Sequence, residues 1–282
     1  MSMQTGGREP VSVWEVVSPI RPRLPAGVGM AGFRDGGRAE VGQRVIPHPS
    51  VMVAVEFGAR PPVVSDAAGR QQRGSMVAGL GLGFGGAAWV RGENVECLQL
   101  RLSPLVAGAV LGVPPAELDG VVPLDAVWGR AVGRIREQLS EAPSWQVRFA
   151  LVEKLLEPAR GARTLLDPEV AWAWRRIVGG RGTVRVEDLA GEVGWSRKRL
   201  WSRFRSQIGL PPKRAAQLVR FDRAVHRLVA GEAAARVAAE TGYADQSHLH
   251  RDVAAFAGIT PSAVTREPWL AVDDVAWPDR TG

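Results

Sequence analysis

The sequence holds a single cysteine, Cys97, which excludes an internal disulfide framework and any multi-cysteine zinc site. A lone cysteine of this kind reads as a small buried apolar residue. Histidine is almost as scarce. His48 is the only one before residue 200, and His226, His248 and His250 follow it. A metal enzyme that gathers several histidines in its N-terminal half is therefore not expected. His48, in Pro47-His-Pro, reads as a loop or core residue; His226 is isolated; His248 and His250, two apart on a helix, point to different faces. No metal and no cofactor is expected. Long apolar runs are missing as well: the longest, Met76 to Val90, is rich in glycine and shorter than the ~20 residues of a membrane span. Residues 1–10 are polar, with no basic stretch leading into an apolar one. The expectation is a cytoplasmic protein with no membrane partner. Nucleophile elbow, phosphate-cradling loop and metalloprotease helix are all absent, and the glycine run from Gly79 to Gly86 lacks the strand-to-helix setting of a dinucleotide site, so it reads as a loop or bulge. An enzyme is not expected.

What is present is ordinary globular material, 45% hydrophobic and 23% charged over 282 residues, which is enough for two cores. The net charge is +7, and it is unevenly spread: between Arg181 and Thr265 stand 14 Arg and Lys against 8 Asp and Glu. One third of the chain thus carries nearly all of the excess, as a partner of polyanions would. From Trp14 to Leu111 short apolar or β-branched runs are separated by glycine and proline, and Leu98, Leu100 and Leu102 alternate with Gln99 and Arg101 as in a half-buried strand. Two amphipathic helices are expected over 124–139, through Val127, Trp128, Ala131, Ile135 and Leu139, and over 144–156, through Val147, Leu151 and Leu155. Their stripes are expected to pack within the chain. A further short helix, Pro168 to Val178, is set off by glycines.

From Val186 the pattern is helix, glycine turn, helix. Val186, Leu189, Ala190 and Val193 share a face, Gly194 breaks it, Ser196 offers an N-cap, and Leu200, Phe204 and Ile208 give the next helix a buried side. Arg197, Lys198, Arg199, Arg203 and Arg205 crowd this second helix, suited to guanine edges and phosphates. The plan repeats after Val237, with Gly242 at the turn, Asp245 as cap and a helix buried through Leu249, Val253 and Phe256 or Ala257. Its first turns present Gln246, Ser247, His250 and Arg251, an amide, a hydroxyl, an imidazole and a guanidinium that hydrogen-bond bases or phosphates. Pro211 to Gly231 joins the two units as one helix.

These residues resemble the C-terminal DNA-binding domain of the AraC/XylS family of bacterial transcription regulators. The resemblance spans about residues 168–267. It is carried above all by G-Y-A-D-Q-S-H-L-H-R followed by F-A-G-I-T-P, and in the first unit by L-A-x-x-V-G-W-S, Leu200, Phe204 and Gly209-Leu-Pro-Pro. It implies base reading at Lys198, Ser202, Gln246, Ser247 and Arg251, with Arg197, Trp201 and His250 nearby. It departs from the family at Ser202, where a long basic residue is common, and at Val253, which replaces an aromatic. Family members usually place a β-rich effector or dimerisation domain in front. The four-cysteine chemistry of related DNA-repair proteins is excluded by the cysteine count.

The expected fold is therefore α+β: an N-terminal β-rich, cupin-like barrel or sandwich with amphipathic helices over 1–164, an all-α domain of two helix-turn-helix units over 165–267, and a tail over 268–282. The expected function is sequence-specific transcription regulation, with recognition helices 196–208 and 245–257 reading successive major grooves. Candidate partners are double-stranded DNA, RNA polymerase, a small-molecule effector in the N-terminal domain and a second copy of the chain. Two rivals stand beside this reading: a non-specific architectural DNA binder, and an enzyme with a regulatory DNA-binding tail.

Overall fold

The computed structural model describes residues 14–35, 41–80 and 86–277. Residues 1–10 and most of the glycine run 79–86 lie outside them. The N-terminal half is built on two antiparallel sheets. The larger contains β1 (Trp14–Val17), β2 (Val28–Asp35), β4 (Val51–Glu56), β7 (Met76–Ala78), β9 (Glu96–Leu102) and β10 (Val121–Pro123), in the order β1-β2-β9-β4-β7-β10. The smaller contains β3 (Val41–Val45), β5 (Val63–Ser65), β6 (Gln71–Arg73) and β8 (Ala88–Gly92), in the order β3-β8-β5-β6.

Strand periodicity divides the large sheet into two buried faces. Val51, Val53 and Val55 on β4 and Leu98, Leu100 and Leu102 on β9 face a helical layer. Met52, Ala54 and Cys97 face the smaller sheet, where they meet Val45, Val64 and Ala88. The alternation in β9 is thus as read from the sequence, but its polar side is not solvated: Gln99 is buried and the Arg101 side chain is only 12% exposed. The cover comes from the segment expected as a tail. Residues Pro268–Ala276 form a helix, α12; its Trp269 and the Trp277 that caps its end pack on Phe33 with ring centroids 5.4 and 6.5 Å away.

The helical layer begins with α1 (Pro104–Leu111), capped by Ser103, and a 3-10 turn over Pro115–Glu117. The single helix expected over 124–139 is two, α2 (Asp125–Trp128) and α3 (Ala131–Glu141). Gly129 separates them at φ 58°, ψ −146°, a conformation closed to side chains bearing a Cβ. In α4 (Trp145–Leu156) the buried stripe is also not the expected one. Trp145, Phe149, Val152 and Leu156 are buried, whereas Val147 and Leu155 are about two-fifths exposed. The stripe with the two aromatic rings removes more apolar area from water, and so it turns inward.

The C-terminal half is all helical: α5 (Pro168–Gly179), α6 (Val186–Glu192), α7 (Arg197–Ile208), α8 (Pro212–Val229), α9 (Ala234–Thr241), α10 (Gln246–Ala257) and α11 (Pro261–Val264), followed by α12. Among the described residues no helix is long and apolar enough to cross a membrane.

Candidate nucleic-acid interface

Two helices carry the candidate contacts, and both are built alike. The Ser196 hydroxyl accepts a hydrogen bond from the Arg199 N–H at 3.2 Å, satisfying one of the free donors that open α7. The Asp245 carboxylate does the same for α10, accepting from the His248 N–H at 2.7 Å. Leu200, Phe204 and Ile208 are fully buried in α7, as are Leu249, Val253 and Ala257 in α10. Each helix is therefore anchored along one side and presents polar groups on the other. The turns before them, at Gly194 (φ 67°) and Gly242 (φ 82°), are left-handed.

Both helices are tied to α8. Phe221 of α8 stacks on Phe256 of α10 at 4.8 Å, and the Arg214 guanidinium lies 3.6 Å from the centre of the same ring. Arg220 donates to the Asp252 carboxylate at 3.0 Å while its guanidinium covers the Tyr243 ring at 4.3 Å. Burial pushes the Tyr243 hydroxyl pKa up, with the Asp252 charge adding to the effect. α7 is held from α5 as well, through Trp174 against Phe204 at 6.5 Å. Residues 189–267, which span both helix-turn-helix units, match the family model of a helix-turn-helix domain.

They form an AraC-type helix-turn-helix domain. Such a domain is the DNA-binding unit of transcription regulators. No curated protein matches the chain. Among solved structures the chain is similar to ToxT from Vibrio cholerae O395, at 10% identity and a TM-score of 0.48, over 85% of this chain and 97% of that one. It is also similar to the C-terminal domain of AraT, a response regulator from Geobacillus stearothermophilus, at 19% identity and a TM-score of 0.35, over 36% of this chain and 88% of that one. A third is the AraC-like transcriptional activator CuxR, at 14% identity and a TM-score of 0.28, over 84% of this chain and 90% of that one.

Every candidate contact residue of the AraC-type domain is exposed: Arg197, Lys198, Arg199, Trp201, Ser202, Arg203 and Arg205 on α7, and Gln246, Ser247, His250 and Arg251 on α10. They are not equally available. Arg203 makes a two-pronged ion pair with Asp167, at 2.8 and 2.9 Å, ahead of α5. Burial opposes the charge on Asp167, but bonds from Gln207 and Arg203 outweigh it and hold its carboxyl below the usual range. Arg197 pairs with Glu187 at 3.1 Å, and the guanidinium groups of Arg199 and Arg205 lie over Trp195 and Trp201 at 4.4 and 5.2 Å. On α10, Gln246 and His250 are within 3.2 Å of each other, and Arg251 donates to the Ser247 carbonyl at 3.4 Å.

No local pattern in the chain marks that the β-rich half lies beside both α7 and α10. A cleft of 550 Å³ separates the 3-10 turn from α7, with Glu117 and Asp119 on one wall and Trp201, Ser202 and Arg205 on the other. Arg44 of β3 donates to the Ala257 carbonyl at the end of α10 at 3.1 Å and pairs with Glu267 at 3.4 Å. Nor is His226 isolated: on α8 its ring stacks 6.0 Å from that of His48. These contacts join residues far apart in the chain, for which no local pattern exists.

Proposed function

We propose that α7 and α10 enter two successive major grooves on one face of double-stranded DNA, and that the protein regulates transcription by this sequence-specific binding. The observation that carries the reading is the duplication: two capped helices, each buried on one side and polar on the other, are fixed to one 18-residue helix, α8. At ~1.5 Å per residue α8 spans ~27 Å, and with a unit at each end the separation approaches the ~34 Å of one DNA turn. Lys198, Ser202, Gln246, Ser247 and Arg251 are assigned to base edges, Trp201 to a thymine methyl, and Arg197, Arg199, Arg205 and His250 to phosphates. Arg203 reaches DNA only by giving up Asp167.

In this reading residues 165–267 bind DNA, and residues 1–164 supply the regulatory input, through a small-molecule effector or a second copy of the chain. The exposed Val147 and Leu155 on α4 favour the second copy. Bound at a promoter in the cytoplasm, the protein would act on RNA polymerase, without a catalytic step of its own.

The test is selection of bound sequences from random DNA at ~150 mM salt, since affinity depends steeply on salt. Two preferred blocks ~10 base pairs apart are expected. One block would restrict base reading to a single helix. No enrichment would overturn the proposal in favour of a non-specific architectural binder, and turnover by the full chain would revive the enzyme with a DNA-binding tail.

A further inference from the structure

Where the β-rich half, the linker helix and the last helix meet, three side chains converge that lie far apart in the sequence. His48 comes from the loop after β3, His226 from α8 and Asp273 from α12. One donor atom from each lies within 4.8 Å of the other two. The Asp273 Oδ2 atom is 3.6 Å from His48 Nε2 and 3.5 Å from His226 Nε2. The far nitrogen of the His48 ring is hydrogen-bonded to Asp222 Oδ1 at 2.6 Å, and His226 Nδ1 lies 2.9 Å from Asp274 Oδ1. With Nδ1 as the donor, His48 presents the lone pair of Nε2, the arrangement that orients imidazole toward a metal. His48 is more than nine-tenths buried and its Nε2 makes no hydrogen bond among the described residues, while Asp273 is fully buried. Arg101 donates to the other oxygen of Asp273, Oδ1.

We propose that His48, His226 and Asp273 form a binding site for a divalent transition metal, zinc by preference, that pins the β-rich half to the linker helix of the DNA-binding domain. The donor set, two imidazoles and a carboxylate, is one that zinc takes with water in the fourth position. Spacing decides the geometry. Bonds of ~2.0–2.1 Å in a tetrahedron put ligand atoms ~3.4 Å apart, against ~2.9 Å for neighbours in an octahedron. The 3.5 and 3.6 Å separations match the tetrahedron, and the two imidazoles argue against magnesium and calcium, which take oxygen ligands almost alone. The rival is a closed ion-pair network that holds no metal.

The consequence is regulatory. Metal binding would draw together three segments that belong to different parts of the fold, and so set how firmly the β-rich half rests beside α7 and α10. Titration of the chelator-treated full chain with Co2+ and Zn2+ separates the two readings. One Co2+ per chain with the intense visible absorption of tetrahedral coordination, displaced by one Zn2+ that raises Tm, is the expected result. His226→Gln and His48→Gln should each weaken zinc by about 100-fold or more, Asp274→Asn by about tenfold, and His248→Gln not at all. Absence of the tetrahedral cobalt spectrum in the folded wild-type chain overturns the proposal, whether or not the variants fold. Binding that survives both glutamine substitutions at His48 and His226 overturns it as well.

Discussion

The two glycine turns have the same job and similar backbone angles, yet they should respond very differently to one added methyl group. An alanine at Gly194 meets nothing within 4 Å, so its cost is the left-handed backbone alone, about 1–2 kcal/mol. At Gly242 the same methyl falls 2.6 Å from Thr183 Cγ2. Thr183 cannot swing aside freely, because its hydroxyl donates to the Gly180 carbonyl at 2.7 Å. Overpacking adds about 1–3 kcal/mol, and a lost hydrogen bond about 1 kcal/mol more. Gly242→Ala should therefore destabilise by about 2–4 kcal/mol beyond Gly194→Ala, a factor of roughly 30 to 900 in the unfolding equilibrium. Urea unfolding of the full chain followed by tryptophan fluorescence measures the difference. Thr183→Ser keeps the hydroxyl and removes the obstructing carbon, so in the double variant with Gly242→Ala most of the excess should return. Because Thr183 precedes α6, a displaced turn at Gly242 also tilts α10 against α7, and binding to two-block DNA should fall at least about tenfold, against little change for Gly194→Ala. Equal costs at the two turns, or no recovery in the double variant, would refute the reasoning.

Gln246→Ala should lose about 1–3 kcal/mol of discrimination at one base pair, whereas Arg199→Ala, at a residue assigned to phosphate, should weaken all sequences alike and lower the salt slope by about one; affinity measured against matched and mismatched DNA at several salt concentrations tells them apart. Asp252→Asn leaves the Arg220 guanidinium, only 12% exposed, without its counter-charge, and should cost about 3–5 kcal/mol in urea unfolding; a cost below about 1 kcal/mol would mean that the pair does not hold α10 on α8. Burial, the chief cause, and the nearby Glu56 charge push the Cys97 thiol up to about 12, against a weaker opposing bond from Gln99. With the folded value raised, its contribution to stability is complete below about pH 9 and lost as pH rises toward 12. At pH 8 roughly one thiol in 10,000 is ionised, so iodoacetamide should label Cys97 only after unfolding, and rapid labelling of the native chain would contradict its burial.

The helix-turn-helix units were legible because everything that specifies them is local. Ser196 and Asp245 cap bonds to N–H groups three residues on, Gly194 and Gly242 turn within one residue, and Leu200, Phe204 and Ile208 repeat every four. The candidate contact residues followed from those faces, and all of them are exposed. Stripes of comparable apolar content were harder to rank: in α4 only the sheet beneath decided that Trp145 and Phe149 turn inward. The remainder depended on pairs with no local mark. Arg203 meets Asp167 across 36 residues, Arg101 meets Asp273 across 172, His48 meets Asp222 across 174, and Arg44 reaches Ala257 across 213. Likewise β2 pairs with β9 from Val28 opposite Leu102 onward, and a period of two names the face of a strand but not its neighbour. The sequence by itself determined two helix-turn-helix units and a β-rich partner. Only the tertiary structure decided that Arg203 is held by Asp167, that the last helix closes the sheets, and that His48, His226 and Asp273 meet. The reason is physical: hydrogen bonds within a few residues of each other are set by neighbours in the chain, whereas a buried charge takes whichever partner the folded surfaces bring to it.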